Sequence, residues 1–594
     1  MEDKRNLLLA VLLTGLILFG WPLVMDTFFP GMANKNDSIE AANNPATDQR
    51  SGKPDATATA GAGSGAPVVA GGSKIIALNT ALSANPRVAV ATPRLNGSIN
   101  LVGAKFDDLT LVDYRVELAK KSPPVRLFAP SNTEKAYFSR FGWSAADIKV
   151  PDDQSVWNVV EGNSLTPKTP VTLRWANDSG QIFQLRFAID DNYLITAQQS
   201  VTNNGAAPVA VTPYSLISRV HHDGIVPQAE QDSWTIHIGP MGVFDGTADY
   251  DWDYDDIRAK GDVGVPMANP SWIGFTDKYW LAAIIPDAKA KADAKFRSGA
   301  GDIYQTQLSA QKAISVAPGA TTTASGRLFA GAKETSLLDR YEDQYNITLL
   351  DRAIDWGWFY WFEKPIFYTL HWLFKYIGNF GVAIICLTFI VRGLMFPIAQ
   401  KQFASMAQMR AVQPKMKKIQ DRWKDDKQRQ QQEIMKLYKD EKVNPLAGCA
   451  PILLQIPVFF ALYKVLMLSI EMRHQPFALW IKDLSAPDPL TPVNLFGLIP
   501  FDPPTFLAIG VLPILMGITM YFQFKLNPAP MDPVQKQIFS LMPWFMIFVM
   551  APFAAGLQLY WTVSNLLTIA QQKLLYSRHP ELKEPLLKVS NAKE

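Results

Sequence analysis

The stretch "FIVRGLMFPIA", Phe389–Ala399, lies in a long apolar run and carries one charge, Arg392. No Asp or Glu occurs between Glu363 and Asp421, so no acidic partner is near in sequence. A charge deep in a membrane helix costs roughly 2.5–3.5 kcal/mol on insertion scales. The residues alone leave two readings open. Arg392 stands about 9 Å along a helix from the end of the run near Ile398, so its side chain can snorkel to the interface. Alternatively it belongs to a wet cavity between helices. Thr388 shares its helical face, and Gly393 lets a neighbour approach closely. Polar residues recur in the later apolar runs: Gln455, Gln523, Gln558, Ser564, Asn565 and Thr568, of which Ser564 and Thr568 share a face.

Around this stretch, the 594-residue chain combines two unlike regions. Residues 1–30 hold a short charged head and the apolar run Leu7–Met25. That run exceeds the 7–15 residues of a cleavable signal and no A-x-A pattern follows, so an uncleaved signal anchor is expected rather than a cleaved signal peptide. Residues 31–74 are small and polar and read as a flexible linker. Residues 75–340 alternate apolar and polar positions in short runs, as in Pro170–Trp175, Phe183–Asp190 and Thr235–Ile238, between turn signals such as "NDSG". Many short strands without alternating helices predict an antiparallel β-sandwich-type domain. Residues 101–350 hold 23 Lys+Arg against 30 Asp+Glu, which speaks against nucleic-acid binding. The two cysteines, Cys386 and Cys449, both lie in apolar segments, so the polar domain folds without disulfides.

Residues 341–376 read as an interfacial amphipathic helix region. Six of the seven residues Trp356–Phe362 are aromatic, a density that suits the headgroup level of a bilayer better than a protein core. Five further spans are expected at 377–399, 446–468, 506–524, 538–553 and 556–572, joined by a cytoplasmic segment 400–445, a periplasmic loop 469–505 and a cytoplasmic loop 525–537, with a tail 573–594. The last two spans read as short; sixteen residues reach only about 24 Å, which suggests local thinning of the bilayer. The 400–445 segment holds 12 Lys+Arg, the 469–504 loop two and the tail five. Positive-inside logic then places both termini in the cytoplasm and the β-domain outside.

The 400–445 segment reads as a basic helical hairpin bent at "KDDK". It carries Lys415, Lys417, Lys418, Arg422 and Arg429, and the methionines Met406, Met409, Met416 and Met435. Such a surface suits anionic lipid, ribosomal RNA or acidic partners, although a merely solvated hairpin has the same pattern. Prolines recur in the spans at 445, 451, 457, 513, 543 and 552, a feature shared with transporters. "HHDG", His221–Gly224, lacks a second ligand set and reads as a turn rather than a metal site. Neither a nucleotide loop, a nucleophile elbow nor HExxH occurs, so no enzyme chemistry, cofactor or metal is expected.

The segments "TFIVRGLMFPIAQKQFASMAQMRAVQPKM", "DDKQRQQQEIMKLYKDEKVNPLAGCAPILLQIPVFFALYKVL", "PFALWIKDLSAPDP" and "LQLYWTVSNLLTIAQQ" resemble the YidC membrane protein insertases of Gram-negative bacteria. The resemblance runs from about Trp356 to Tyr576 and includes the signal anchor. The β-rich region sits where that family carries its periplasmic domain. The resemblance implies five core helices around a hydrophilic groove open to cytoplasm and lipid. The family's groove arginine falls on Arg392, with Thr388, Gln455, Ser564 and Asn565 at matching groove positions. Client contacts would fall near Ile456, Phe459, Tyr560 and Trp561, and Trp480 matches a periplasmic-side position. The basic hairpin would correspond to the loop that meets targeting factors, ribosome and translocon. The implied partners are nascent inner-membrane proteins, the Sec translocon with its accessory subunits, the ribosome, the signal-recognition machinery and membrane lipid.

A solute or ion transporter is the main rival. Against it, the core spans show no paired broken-helix repeat, and Arg392 has no ion-coupling carboxylate within them. A structural envelope protein would need only one anchoring span.

Overall fold

The computed structural model describes residues 75–578 apart from 223–235, 266–268, 289, 358–359, 425, 442–449, 500, 502, 504–507 and 527–532. The expected signal anchor, the linker, the tail beyond 578, Cys449, and Asp223 and Gly224 of "HHDG" lie outside these residues. The chain divides after Asp355 into two compact units.

The first unit follows from period-two alternation. Gln181–Ile189 buries Gln181, Phe183, Leu185, Phe187 and Ile189 and turns the residues between them outward. Such strands assemble into two sheets, of eleven and nine strands. Pairing is antiparallel except where Arg87–Ala91 runs parallel to Ser164–Leu165. Aromatic rings from the two sheets meet between them: Phe106 and Phe187 lie 4.9 Å apart edge to face, and Trp143 and Phe183 5.2 Å. Helices α1 (Leu78–Ser83), α2 (Tyr254–Lys260) and α3 (Thr335–Tyr345) decorate this unit.

Of the expected strand Thr235–Ile238, Thr235 lies outside the described residues, Ile236 forms an isolated bridge, His237 and Ile238 join no ladder, and a strand begins at Gly239. The His237 amide instead donates to the Asp355 carboxylate, distant in sequence (3.0 Å), and its ring bonds the Pro240 carbonyl (2.9 Å). His221 of the "HHDG" cluster stacks on Tyr254 at 3.7 Å.

Several charges are buried in this unit, each held by specific partners. Arg219 Nη2 meets Asp277 Oδ1 at 2.8 Å, and its guanidinium lies over the Tyr137 ring at 4.9 Å. Lys333 donates to Thr276 Oγ1 (3.0 Å) and to the Ala353 carbonyl (2.9 Å), fastening the end of the unit to its sheet. Desolvated charges persist only when paired in this way.

The second unit is helical: α4 (Tyr360–Ile377), α5 (Phe380–Arg422), α6 (Lys427–Asp440), α7 (Ala450–Leu468), α8 (Val511–Leu526), α9 (Pro533–Met550) and α10 (Ala555–Arg578). Helix α10 packs against α5 and α8, α9 against α8, and α4 against α5 and α7. Residues 341–376 are not one amphipathic region. Tyr341 is buried in the β-rich unit, a short 3-10 turn follows at Leu350–Ala353, and α4 starts only at Tyr360. Helix α4 itself buries Glu363, Ile366, Phe367, Leu370 and Leu373, and exposes Trp361, Tyr368, Trp372 and Tyr376 on another face.

Helix α5 runs unbroken for 43 residues through Pro397 and Pro414, so the expected span 377–399 and the first arm of the basic hairpin are one element. The second arm, α6, starts on an Asp426 cap, and the arms are joined by Lys415–Glu441 (2.5 Å) and Tyr438–Met416 (3.2 Å). Among the described residues one stretch, Phe380–Gln400, is long and apolar enough to cross a membrane. Gln455–Leu468, Val511–Leu526 and Phe539–Met550 are apolar but shorter, so length and composition do not establish six spans. The last two helices are longer than expected: α9 has 18 residues and α10 has 24, because polar ends extend both apolar runs. At about 1.5 Å per residue the helices reach about 27 and 36 Å, but the apolar part of α9, Phe539–Met550, covers only about 18 Å, and it is this apolar length that sets the match to the bilayer.

One loop closes an end of the helical unit. A helix N-terminus leaves backbone N–H groups without partners, and the 475–490 segment supplies acceptors to four of them, including Val511 N, which donates to the Leu490 carbonyl (3.0 Å). Asp488, 5% exposed, accepts from Leu512 N at the start of α8 (2.7 Å). Its other oxygen accepts from Trp480 Nε1 (2.9 Å) and Leu490 N (3.0 Å). Ala555 N and Gly556 N of α10 donate to the carbonyls of Ala486 (2.8 Å) and Leu484 (2.9 Å). Asn379 caps α5 through Val382 N (3.0 Å) and donates to the Phe477 carbonyl (2.8 Å). Gly381 permits this closeness, since a Cβ there would lie 2.0 Å from Phe477.

Asp488→Ala should cost about 2 kcal/mol or more, because it removes a charged acceptor from three donors; an unchanged thermal midpoint in detergent would refute the role. Asp277→Ala should cost about 3–5 kcal/mol by leaving Arg219 buried and unpaired. Denaturant unfolding of the full chain, followed through the β-rich unit, measures that loss.

Candidate functional site around Arg392

Arg392 lies on α5 and reaches toward α10, where its Nε donates to Ser564 Oγ at 2.9 Å and one Nη donates to the same oxygen. Tyr560 stands one turn earlier on α10, and Gln455 Nε2 of α7 donates to its hydroxyl at 3.0 Å. The pairs Arg392–Ser564 and Gln455–Tyr560, one turn apart on α10, thus form a polar chain of two links across three helices. Among the described residues no carboxylate lies within ion-pair distance of Arg392, and its remaining Nη makes no hydrogen bond.

Beside this chain opens a cleft of about 360 Å³, lined by Phe389, Arg392, Gly393 and Phe396 of α5 and by Leu567 and Gln571 of α10. The spacings i, i+3, i+4, i+7 on one helix and i, i+4 on the other make each wall a single helical face. The walls are mostly apolar, with Arg392 and Gln571 as the polar groups.

The other expected groove residues have different local tasks. Thr388 is buried and its hydroxyl donates to the Ile384 carbonyl of its own helix (2.7 Å). Thr568 does the same toward Ser564 O (2.8 Å). Asn565 turns to α8, donating to Thr519 Oγ1 (3.1 Å). Gln558, read from the sequence as a possible cavity group, is buried and closes the corner between α9 and α10 on the carbonyls of Met550 (2.9 Å) and Phe553 (2.8 Å). Gly393, read as a point of close helix approach, meets nothing: a Cβ there would have no atom within 4 Å.

Of the residues expected to touch a client, Ile456 is exposed, Phe459 and Trp561 are half-buried with rings 5.0 Å apart, and Tyr560 is buried in the polar chain. Trp480 holds Asp488 in the closing loop. Lys415, Lys417, Lys418, Arg422 and Arg429 are all exposed on the hairpin, with Arg429 over the Trp423 ring at 4.2 Å. Met416 is buried between the arms and Met435 is exposed, while the side chains of Met406 and Met409 lie outside the described set. Two important residues escaped the sequence reading. Asp488 lay in the expected periplasmic loop 469–505 and Gln571 near the end of the expected span 556–572, neither singled out; helical spacing from Leu567 was the available signal for the second.

Residues 372–582 match the family model of the 60Kd inner membrane protein, and residues 87–369 that of the YidC periplasmic domain. The membrane protein insertase YidC of Zymomonas mobilis subsp. mobilis is 46% identical over 585 residues, covering 98% of this chain and 96% of its own. The protein of that name from Bradyrhizobium diazoefficiens is 42% identical over 611 residues, covering 98% and 97%. A crystal structure of an active YidC insertase with its first transmembrane domain resolved aligns with 82% of this chain and 91% of its own, at 17% identity and a TM-score of 0.34. That superposition is loose, and the relationship rests on the sequences. Matched along nearly its whole length at 42–46% identity, the chain belongs to the YidC family of membrane protein insertases.

Proposed function

We propose that the chain inserts inner-membrane proteins and helps them fold, alone or with the Sec translocon, and that Arg392 receives the polar flank of the client. One observation carries this reading: a guanidinium tied to Ser564 on one side, open on the other, and without a carboxylate among the described residues. A structural arginine would be neutralised from within, whereas this one keeps its charge available.

The physical task explains the design. Burying a client's apolar helix is favourable, but its polar flank must cross hydrocarbon. A polar path part-way through the bilayer shortens the low-dielectric crossing. Arg392 attracts an acidic flank, and the membrane potential favours moving that flank outward by about 2.3 kcal/mol per charge per 100 mV. No covalent step is required. In this reading α5 and α7–α10 are the five core spans, and the segment near the N-terminus, outside the described residues, is the sixth. The hairpin α5–α6 faces the cytoplasm, with both termini, and meets ribosome, signal-recognition machinery and anionic lipid through its exposed lysines and arginines. The β-rich unit lies in the periplasm. Ile456, Phe459 and Trp561 offer the client an apolar and aromatic edge, with Tyr560 behind them.

Depletion of the protein in its native cell should leave the translocated segment of a small, newly made membrane protein protected from external protease. Normal accessibility would sink the reading for that client. Arg392→Ala should lower insertion of clients with acidic flanks several-fold and spare those with neutral flanks, with Arg392→Lys milder. Asn565→Ala, which touches only the α8–α10 tie, should cost about 1 kcal/mol of stability without such charge dependence. Equal insertion by all three variants would leave Arg392 with no electrostatic role.

A further inference from the structure

We propose that Gly393 is a specificity-determining residue: by having no side chain, it opens a slot beside Arg392 for a client's acidic residue and its apolar neighbours. The proposal rests on the reading of Arg392 as the client-binding charge.

Two ordinary reasons for a helical glycine fail here. Gly393 is not among the residues with positive φ, so its backbone is open to any amino acid. Nor does it admit a neighbour. On the same helix a Cβ at Gly381 would strike Phe477 at 2.0 Å, and on α8 a Cβ at Gly517 would strike Ile547 at 2.4 Å, whereas a Cβ at Gly393 would meet nothing within 4 Å. Glycine is a poor residue for a helix interior, and no contact within the protein compensates for it. What its presence leaves is empty volume: Gly393 lines the cleft between Phe389, Arg392 and Phe396 on one wall and Leu567 and Gln571 on the other.

A second feature comes from covalent chemistry. In an α-helix the N–H of residue i bonds the carbonyl of residue i−4. Residue 397 is proline and has no N–H to give, so the Gly393 carbonyl loses that partner. Without a side chain on Gly393, nothing of its own residue shields that oxygen. The slot therefore presents a cationic donor from Arg392, an amide from Gln571 and a backbone acceptor from Gly393, between the apolar walls Phe389, Phe396 and Leu567. Charge complementarity selects the occupant. It is the junction of a client's acidic flank with its apolar helix: the carboxylate goes to the open Nη of Arg392, a backbone or side-chain N–H goes to the Gly393 carbonyl, and the apolar residues go to the walls.

The test uses the full chain in its membrane with Gly393→Ala and Gly393→Leu. Both replace glycine in a helix and project into open space, so protein levels should match the parent. Insertion of an acidic-flank client, read by protease accessibility, should fall slightly with Ala and several-fold with Leu. The same client with its acids changed to Asn and Gln should be unaffected. A photoreactive residue at position 396 should crosslink the acidic client, and less of it in the Gly393→Leu background. If Gly393→Leu inserts the acidic client normally while Arg392→Ala does not, the slot is wrong and the arginine reading stands. If both insert normally, both fail. Equal loss for acidic and neutral clients, with protein level intact, overturns the charge-linked slot, as does crosslinking to phospholipid alone.

Discussion

The hydrogen bonds from Arg392 to Ser564 set the terms for the helical unit. A guanidinium in an apolar helix must be held or it will withdraw toward water. Ser564 holds it with a neutral oxygen, which fixes its position without cancelling its charge. That choice requires α5 and α10 to stay at one separation, and much of the surrounding structure serves that need. The bond from Gln455 to the Tyr560 hydroxyl ties α7 to α10 one turn earlier. Asn565 ties α10 to α8. The loop around Asp488 anchors the starts of α5, α8 and α10 to one another.

The polar residues in the apolar runs therefore divide into two groups that look alike in a sequence. Thr388, Thr568 and Gln558 satisfy backbone carbonyls, on their own helix or at a corner. Arg392, Gln455, Tyr560 and Ser564 satisfy one another across helices. Composition marks both groups as costly in an apolar setting, but only geometry separates internal repair from a site.

Much of the architecture was legible because burial leaves periodic traces. The period-two pattern of Phe183–Asp190 predicted its strand within a residue or two, and the apolar runs predicted the C-terminal ends of α7 and α8 equally well but set the start of α8 five residues early. Reading failed where side chains substitute for regular pairing. Thr235–Ile238 looked like a strand, yet Asp355, more than a hundred residues later, takes the His237 amide. It also failed where a helix outlasts its apolar stretch, as in α5 and α10, since polar helical turns carry no hydropathy signal. At the site, Arg392 was conspicuous as a lone charge. Gly393 was conspicuous too but misread, because a missing side chain signals a close neighbour or an open space with equal ease.

The continuity of α5 also makes it a mechanical part. From Pro397 to Arg422 the helix is a rod about 38 Å long, with the basic surface at its far end and the Arg392 cleft just behind its near end. Proline is where such a rod bends most readily. A bend of about 10° at Pro397 would swing the hairpin end by about 7 Å over that length. Run in reverse, leverage of the same size would turn a large displacement of the hairpin into a small one where Gly393 and Leu567 line the cleft.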